Sequence, residues 1–187
     1  MKSIITIFLR TLLFSGTVAL LAGCAHQTPA ISPTAQPDRN AAIVFGRFSI
    51  GREYGFGNRL ALWLQNLDTK KPVYIYFDLN RPVYGIEIKP GRYQLAGFVG
   101  VNNTREIKGR VTFPASRFTA PFTASAGEQI YLGDFSGVAS YDGMMSQWRV
   151  NSVTNNFANT TVEFRERYRN LMVVPAVSVF ELPASRL

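Results

Sequence analysis

Side chains able to do acid–base, nucleophilic or metal chemistry are few in this sequence. The 187 residues hold one histidine, His26, and one cysteine, Cys24, two positions apart near the start. A Ser-His-Asp or Cys-His centre needs an imidazole fixed beside a nucleophile within a folded body, and zinc needs several such ligands gathered together. Neither is expected here, nor is a calcium loop, since no acidic residues alternate in the required way. Carboxylate chemistry remains: glycoside hydrolysis uses two carboxylates flanking one bond, and Asp78, Glu87, Glu128, Asp134 and Asp142 are the candidates. Asp78 and Asp142 stand just before Asn80 and Gly143, which reads as turn chemistry. Ser-Lys chemistry would have to use Lys70, Lys71, Lys89 or Lys108, all in turn-like surroundings. The expectation is a protein that is not an enzyme and that carries no metal and no cofactor.

Binding chemistry has one candidate loop, Gly51-Arg52-Glu53-Tyr54-Gly55-Phe56-Gly57-Asn58. It lacks the Gly-Lys-Ser/Thr ending of a phosphate loop. Its Arg52, Tyr54 and Phe56 are the residues expected to meet a ligand or partner, against the simpler reading of a flexible loop end. Residues 141–145 read as a similar loop. Asn102-Asn103-Thr104 and Asn159-Thr160-Thr161 match glycosylation acceptors but are read as turn and cap residues.

The first residues carry Lys2, then an apolar stretch broken by Arg10, then an uncharged run from Thr11 to Leu21 and the small residues Ala22 and Gly23. That is the anatomy of a secretory signal, and the run would rise only about 16 Å as a helix, half of a ~30 Å hydrocarbon core. The following Leu21-Ala22-Gly23-Cys24 resembles the lipobox of bacterial lipoproteins. The resemblance implies a signal peptide over 1–23, cleavage before Cys24, and a diacylglyceryl thioether and an acyl group on Cys24. Two or more chains anchor stably where one does not. In that family an Asp after the Cys retains the protein at the inner membrane; Ala25 stands here, which implies the outer membrane, with the body facing the periplasm. With Cys24 lipidated, no thiol remains for a disulfide.

Without Lys2 and Arg10 there remain 18 basic and 12 acidic residues, a formal charge of +6. A basic surface favours anionic headgroups or cell-wall carboxylates as well as solubility. Nucleic acid is not expected as a partner, because no basic run is interleaved with aromatics and the address is periplasmic. Residues 24–40, with Pro29, Pro33 and Pro37 among small and polar residues, read as the lipidated Cys and a partly extended tether reaching a few tens of ångströms.

From residue 41 to 187 the chain reads as one domain. Hydrophobic residues at 47% against 17% charged can fill a core, and 14 Phe, 8 Tyr and 2 Trp make that core aromatic. Apolar residues recur with a period near two between Gly, Pro, Asn and Asp. The candidate strands are 42–50, 59–66, 73–79, 83–88, 92–99, 107–113, 118–123, 129–135 and 147–153, with 177–182 as a further edge. The fold expected is mainly β, an antiparallel sandwich of about 7–9 strands with one C-terminal α-helix. Lys89-Pro90-Gly91-Arg92 suits a type II turn joining 83–88 to 92–99 as a hairpin, and alternation then places Tyr93, Leu95 and Val99 on one face. Leu60, Leu62 and Leu64 form a core row, as do Val73, Ile75, Phe77 and Leu79. The opposite Trp63, Tyr74 and Tyr76 need a cover. Thr160-Thr161-Val162-Glu163 fits a capping box, and Phe157, Thr161, Phe164, Tyr168 and Leu171 form a helical stripe that could supply one, or meet a partner.

The segments 86–93 (Ile-Glu-Ile-Lys-Pro-Gly-Arg-Tyr) and 126–134 (Ala-Gly-Glu-Gln-Ile-Tyr-Leu-Gly-Asp) resemble small bacterial lipoproteins with a transthyretin-like or carboxypeptidase-regulatory-like β-sandwich. That family, mostly without assigned activity, implies a sandwich with a short final helix. The functional expectation is a non-enzymatic binding or assembly module of the cell envelope; the alternative is a lipoprotein binding peptidoglycan or a small ligand through its aromatic and basic loops.

Overall fold

Two five-stranded sheets face each other across an aromatic core, and a helix lies on the outside of one of them. The computed structural model describes residues 29–34, 36, 38–52, 59–78, 80–101, 106–116, 119–141, 146–171 and 175–181. The strands are β1 (Ala42–Arg52), β2 (Arg59–Asn66), β3 (Pro72–Tyr76), β4 (Val83–Ile88), β5 (Gly91–Val101), β6 (Ile107–Thr112), β7 (Phe122–Ala124), β8 (Gln129–Tyr141), β9 (Ser146–Thr154) and β10 (Ala176–Ser178), with α1 over Phe157–Arg167. The first sheet runs β10-β8-β1-β4 with β9 also on β8; the second runs β3-β2-β5-β6 with β7 also on β5. The β-sandwich with its C-terminal helix is therefore as expected. Pairing is antiparallel except at β1–β8 and β8–β10, which are parallel.

Alternation explains the layers. Leu60, Leu62 and Leu64 turn inward with Ile75 and Phe77, where Phe48, Phe77, Phe113 and Phe135 meet at ring separations of 6.0–6.5 Å. Edge and offset contacts of this kind add to the plain burial of large rings.

Five expectations need correction. The Pro90-Gly91 turn does not close a hairpin: β4 pairs with β1, whereas β5 pairs with β2, β6 and β7, so the turn carries the chain from one sheet to the other. Val99 does not share a face with Tyr93 and Leu95. Trp63 lies opposite Gly97 and Leu64 opposite Leu95, so Ala96 is an extra residue, and this bulge turns every later side chain over. Residue 118 lies outside the described residues, and of 119–123 only Phe122 and Thr123 are in a strand, because Pro121 lacks an amide hydrogen and β7 begins only after it. Helix α1 starts a turn earlier than the capping-box motif suggests, at Phe157, so Thr160 and Thr161 lie buried within it. And α1 packs against β1, β4 and β8, leaving the outer face of the other sheet, with Trp63, Tyr74 and Tyr76, to a cluster of its own with Ala61, Val99 and Val101. There the Arg110 guanidinium lies 5.4 Å from the Trp63 ring centre.

The tether is docked over part of its length. Ala30 bridges Ile86 of β4 in antiparallel sense, the Ile31 amide donates to the Gly85 carbonyl at 3.0 Å, Ile31 packs on the core, and the Asn170 side-chain amide donates to the Thr34 carbonyl at 3.3 Å. Ala30, Ile31 and Thr34, within the expected 25–40 spacer, are therefore held against the folded body.

Candidate functional site

Folding gathers ionisable groups where α1 meets the first sheet. On β1, Ile43, Phe45 and Arg47 point toward the helix while Val44 and Phe48 point into the sandwich, as period two requires. On β8, Tyr131 and Asp134 are three apart and would ordinarily face opposite ways. They share a side because Phe45 pairs with Tyr131 but Arg47 with Asp134, so two residues, Leu132 and Gly133, stand opposite Gly46 alone. Gly133 carries this bulge at φ 131°, a conformation that side-chain-bearing residues rarely adopt, and its carbonyl lies where a Cβ on Gly46 would go.

The Asp134 carboxylate is almost wholly buried and accepts from every side. The Tyr131 hydroxyl donates at 3.0 Å, the Thr160 hydroxyl lies 2.8 and 3.0 Å from the two oxygens, and the Asn156 side-chain amide donates at 3.2 Å. Arg47 Nε stands 3.5 Å away, and the same guanidinium pairs through Nη2 with Glu163 of the helix. The Tyr131 hydroxyl in turn accepts the Asn156 backbone N–H at 2.9 Å. Strand β8 thus caps α1: Asn156 makes no side-chain cap bond of its own, and a buried carboxylate placed at the first turn suits the positive end of the helix dipole. Burial pushes the Tyr131 phenol up, and the adjacent Asp134 charge pushes the same way, so this hydroxyl stays protonated and donating. The Asp134 carboxylate thus ties β8 to the first turn of α1.

Phe164 anchors the other end of the contact. It stacks on Phe45 with ring centres 4.3 Å apart and sits over Gly85, where a Cβ would come within 3.1 Å of its ring.

The residues expected to carry function are placed as follows. Cys24, His26, Tyr54, Phe56 and Asp142 lie outside the described residues, as does the 1–23 segment. Arg52 ends β1, its backbone opposite Ala139. Asp78 does form a turn, accepting the Asn80 and Arg81 amides at 2.8 and 3.2 Å. Glu128 likewise accepts the Ser125 amide at 2.9 Å, and Lys108 pairs with Glu106 at 2.8 Å. Among the suspected carboxylates that lie in the described residues Asp134 alone is buried, and its carboxylate neighbour across Arg47 is Glu163, which the capping-box reading assigns to the helix end. Arg47, Tyr131, Asn156 and Thr160 were missed too. The available signal was a charge inside each of two apolar strand runs, Arg47 between Phe45 and Phe48 and Asp134 between Leu132 and Phe135, since a buried charge requires a partner.

Among the described residues no three His, Cys, Asp or Glu side chains gather as a metal site would need, and no helix is long and apolar enough to cross a membrane. No protein-family model matches the chain, and no curated protein sequence matches it.

Proposed function

We propose that this chain is a bacterial lipoprotein anchored in the outer membrane through lipid on Cys24, its β-sandwich facing the periplasm as a non-enzymatic binding or assembly module of the cell envelope. The observation that carries the reading is Leu21-Ala22-Gly23-Cys24, with the chain's only cysteine, at the end of an uncharged apolar run. The occupied Asp134 supports the non-enzymatic part, because its oxygens already serve Tyr131, Thr160, Asn156 and Arg47.

The test is crosslinking in intact cells followed by capture and mass spectrometry, beside a Cys24→Ser control, with the mass of the N-terminal peptide read in the same experiment. A lipid mass on Cys24 and one abundant envelope protein lost in the control are expected. An unmodified Cys24 defeats the anchor. Turnover of an envelope glycan or peptide that disappears in Asp78→Asn, Asp134→Asn or Asp142→Asn defeats the non-enzymatic reading.

A second reading, binding of peptidoglycan or a small ligand through Arg52, Tyr54 and Phe56, is favoured by where Arg52 lies. Register places the ends of β1, β5 and β8 and the starts of β2, β6 and β9 at one end of the sandwich, opposite the end from which Pro29 leaves. Saturable binding of cell-wall fragments, abolished by Arg52→Ala, would select it.

A further inference from the structure

We infer that the end of the sandwich carrying Arg39, Lys70, Lys71, Lys89 and Arg92 docks on the anionic headgroups of the bilayer that holds the anchor; this rests on the lipoprotein reading. The bridge between Ala30 and Ile86 is antiparallel, so the chain before it runs toward the Ile88 end of β4, with Pro29 beside Glu87. Cys24 precedes Pro29 by five residues, which span at most about 18 Å. The docked tether therefore keeps this end near the headgroups. The eleven residues of β1 place the opposite end about 33 Å away along the strand, several Debye lengths at physiological salt.

The five cations converge on that end from both sheets. Lys89 follows β4, Arg39 precedes β1, and the Arg92 carbonyl accepts the Leu67 amide at 2.7 Å, which draws the 67–71 turn with Lys70 and Lys71 alongside. All five are exposed. Four carboxylates share the end, but three are folded back onto backbone amides: Asp38 onto Asn40 at 2.8 Å, Asp68 onto Arg92 at 2.8 Å and Glu128 onto Ser125 at 2.9 Å. Only Glu87 has no such bond described, so the long cationic stems are the groups that reach outward. Lys and Arg held at an anionic leaflet by a lipid chain add to its grip and orient the body.

The full lipidated chain tests this. With Cys24 alkylated, Ala126→Cys near the docking end or Arg59→Cys at the far end supplies a single thiol for a fluorophore. Each protein is reconstituted in phosphatidylcholine vesicles with or without phosphatidylglycerol, containing a headgroup nitroxide as quencher, after the lipid mass on Cys24 is verified. In phosphatidylglycerol vesicles the Ala126 label should be quenched at least twofold more than the Arg59 label. Lys70→Glu/Lys71→Glu/Lys89→Glu, and separately high salt with the native charges, should bring the ratio toward one. Equal quenching at the two sites, or a ratio that ignores both charge reversal and salt, overturns the inference. An unlipidated Cys24 instead removes the lipoprotein reading, and this inference with it.

Discussion

Replacing Asp134 with Ala should cost about 3 kcal/mol of folding stability, and the structure says where that cost arises. The carboxylate serves two hydroxyls with no exposure, those of Tyr131 and Thr160, and neither can turn to water once it is gone. Hydrogen bonds to a charged group are worth roughly 1.5–3 kcal/mol, and stripping one partner from a buried ion pair costs roughly 3–5. The lower part of that range applies because Arg47 is 31% exposed and keeps Glu163. In a domain of this size each kcal/mol moves Tm by roughly 2–4 °C, so a fall of about 9 °C is expected. The assay is thermal and urea unfolding of the chain in a Cys24→Ser background, with Asp78→Ala, a turn carboxylate, as the control expected to lose about 1 kcal/mol or less. Hydrogen exchange over Phe157–Phe164 should accelerate more than over β2, because the lost contacts are those that seat the helix. In a double-mutant cycle with Thr160→Val the two changes should couple by about 1 kcal/mol. A Tm change under about 2 °C, or strict additivity with Thr160→Val, would refute the idea that Asp134 holds the helix.

Gly133→Ala should lose about 1–3 kcal/mol in the same unfolding assay, since φ 131° is strained for alanine and its methyl would meet the Phe135 and Phe180 rings at 3.1–3.3 Å; a neutral result would mean the bulge is not needed to align Tyr131 with Asp134. Phe164→Ala removes a fully buried ring stacked on Phe45 and should cost about 3–5 kcal/mol by urea denaturation, with a loss under 1 kcal/mol showing that the helix does not depend on this anchor. Burial raises the phenols of Tyr74, Tyr84, Tyr93, Tyr131 and Tyr168 above the ordinary 10.0. Above that pH the unfolded chain releases phenolic protons that the native protein retains, so stability is complete below about pH 10 and falls as pH rises further. The phenolate absorbance of these five tyrosines should accordingly appear together with unfolding, whereas their full ionisation in a still-folded chain would contradict the burial of these hydroxyls.

Strands, their approximate limits and the inward rows of Leu60, Leu62 and Leu64 were legible in the sequence, because period-two alternation and the solvent cost of apolar side chains act locally. The motif around Cys24 was legible too, as a pattern of residue types. Long-range choices were not. The sequence contains nothing that states whether β4 pairs with β5 or with β1, since a Pro-Gly turn serves a hairpin and a sheet crossing alike. Nor does it state that Ala96 and Gly133 are extra residues, because a bulge exists only relative to a partner strand. Once Gly133 turns Asp134 to the side of Tyr131, the carboxylate meets Asn156 and Thr160 from 22 and 26 residues later, and through Arg47 it meets Glu163. Residue types thus determined a β-rich aromatic body behind a lipobox-like motif. Only the tertiary structure decided which sheet the helix covers and which charges meet, because burial lets charges persist only where distant segments bring their partners.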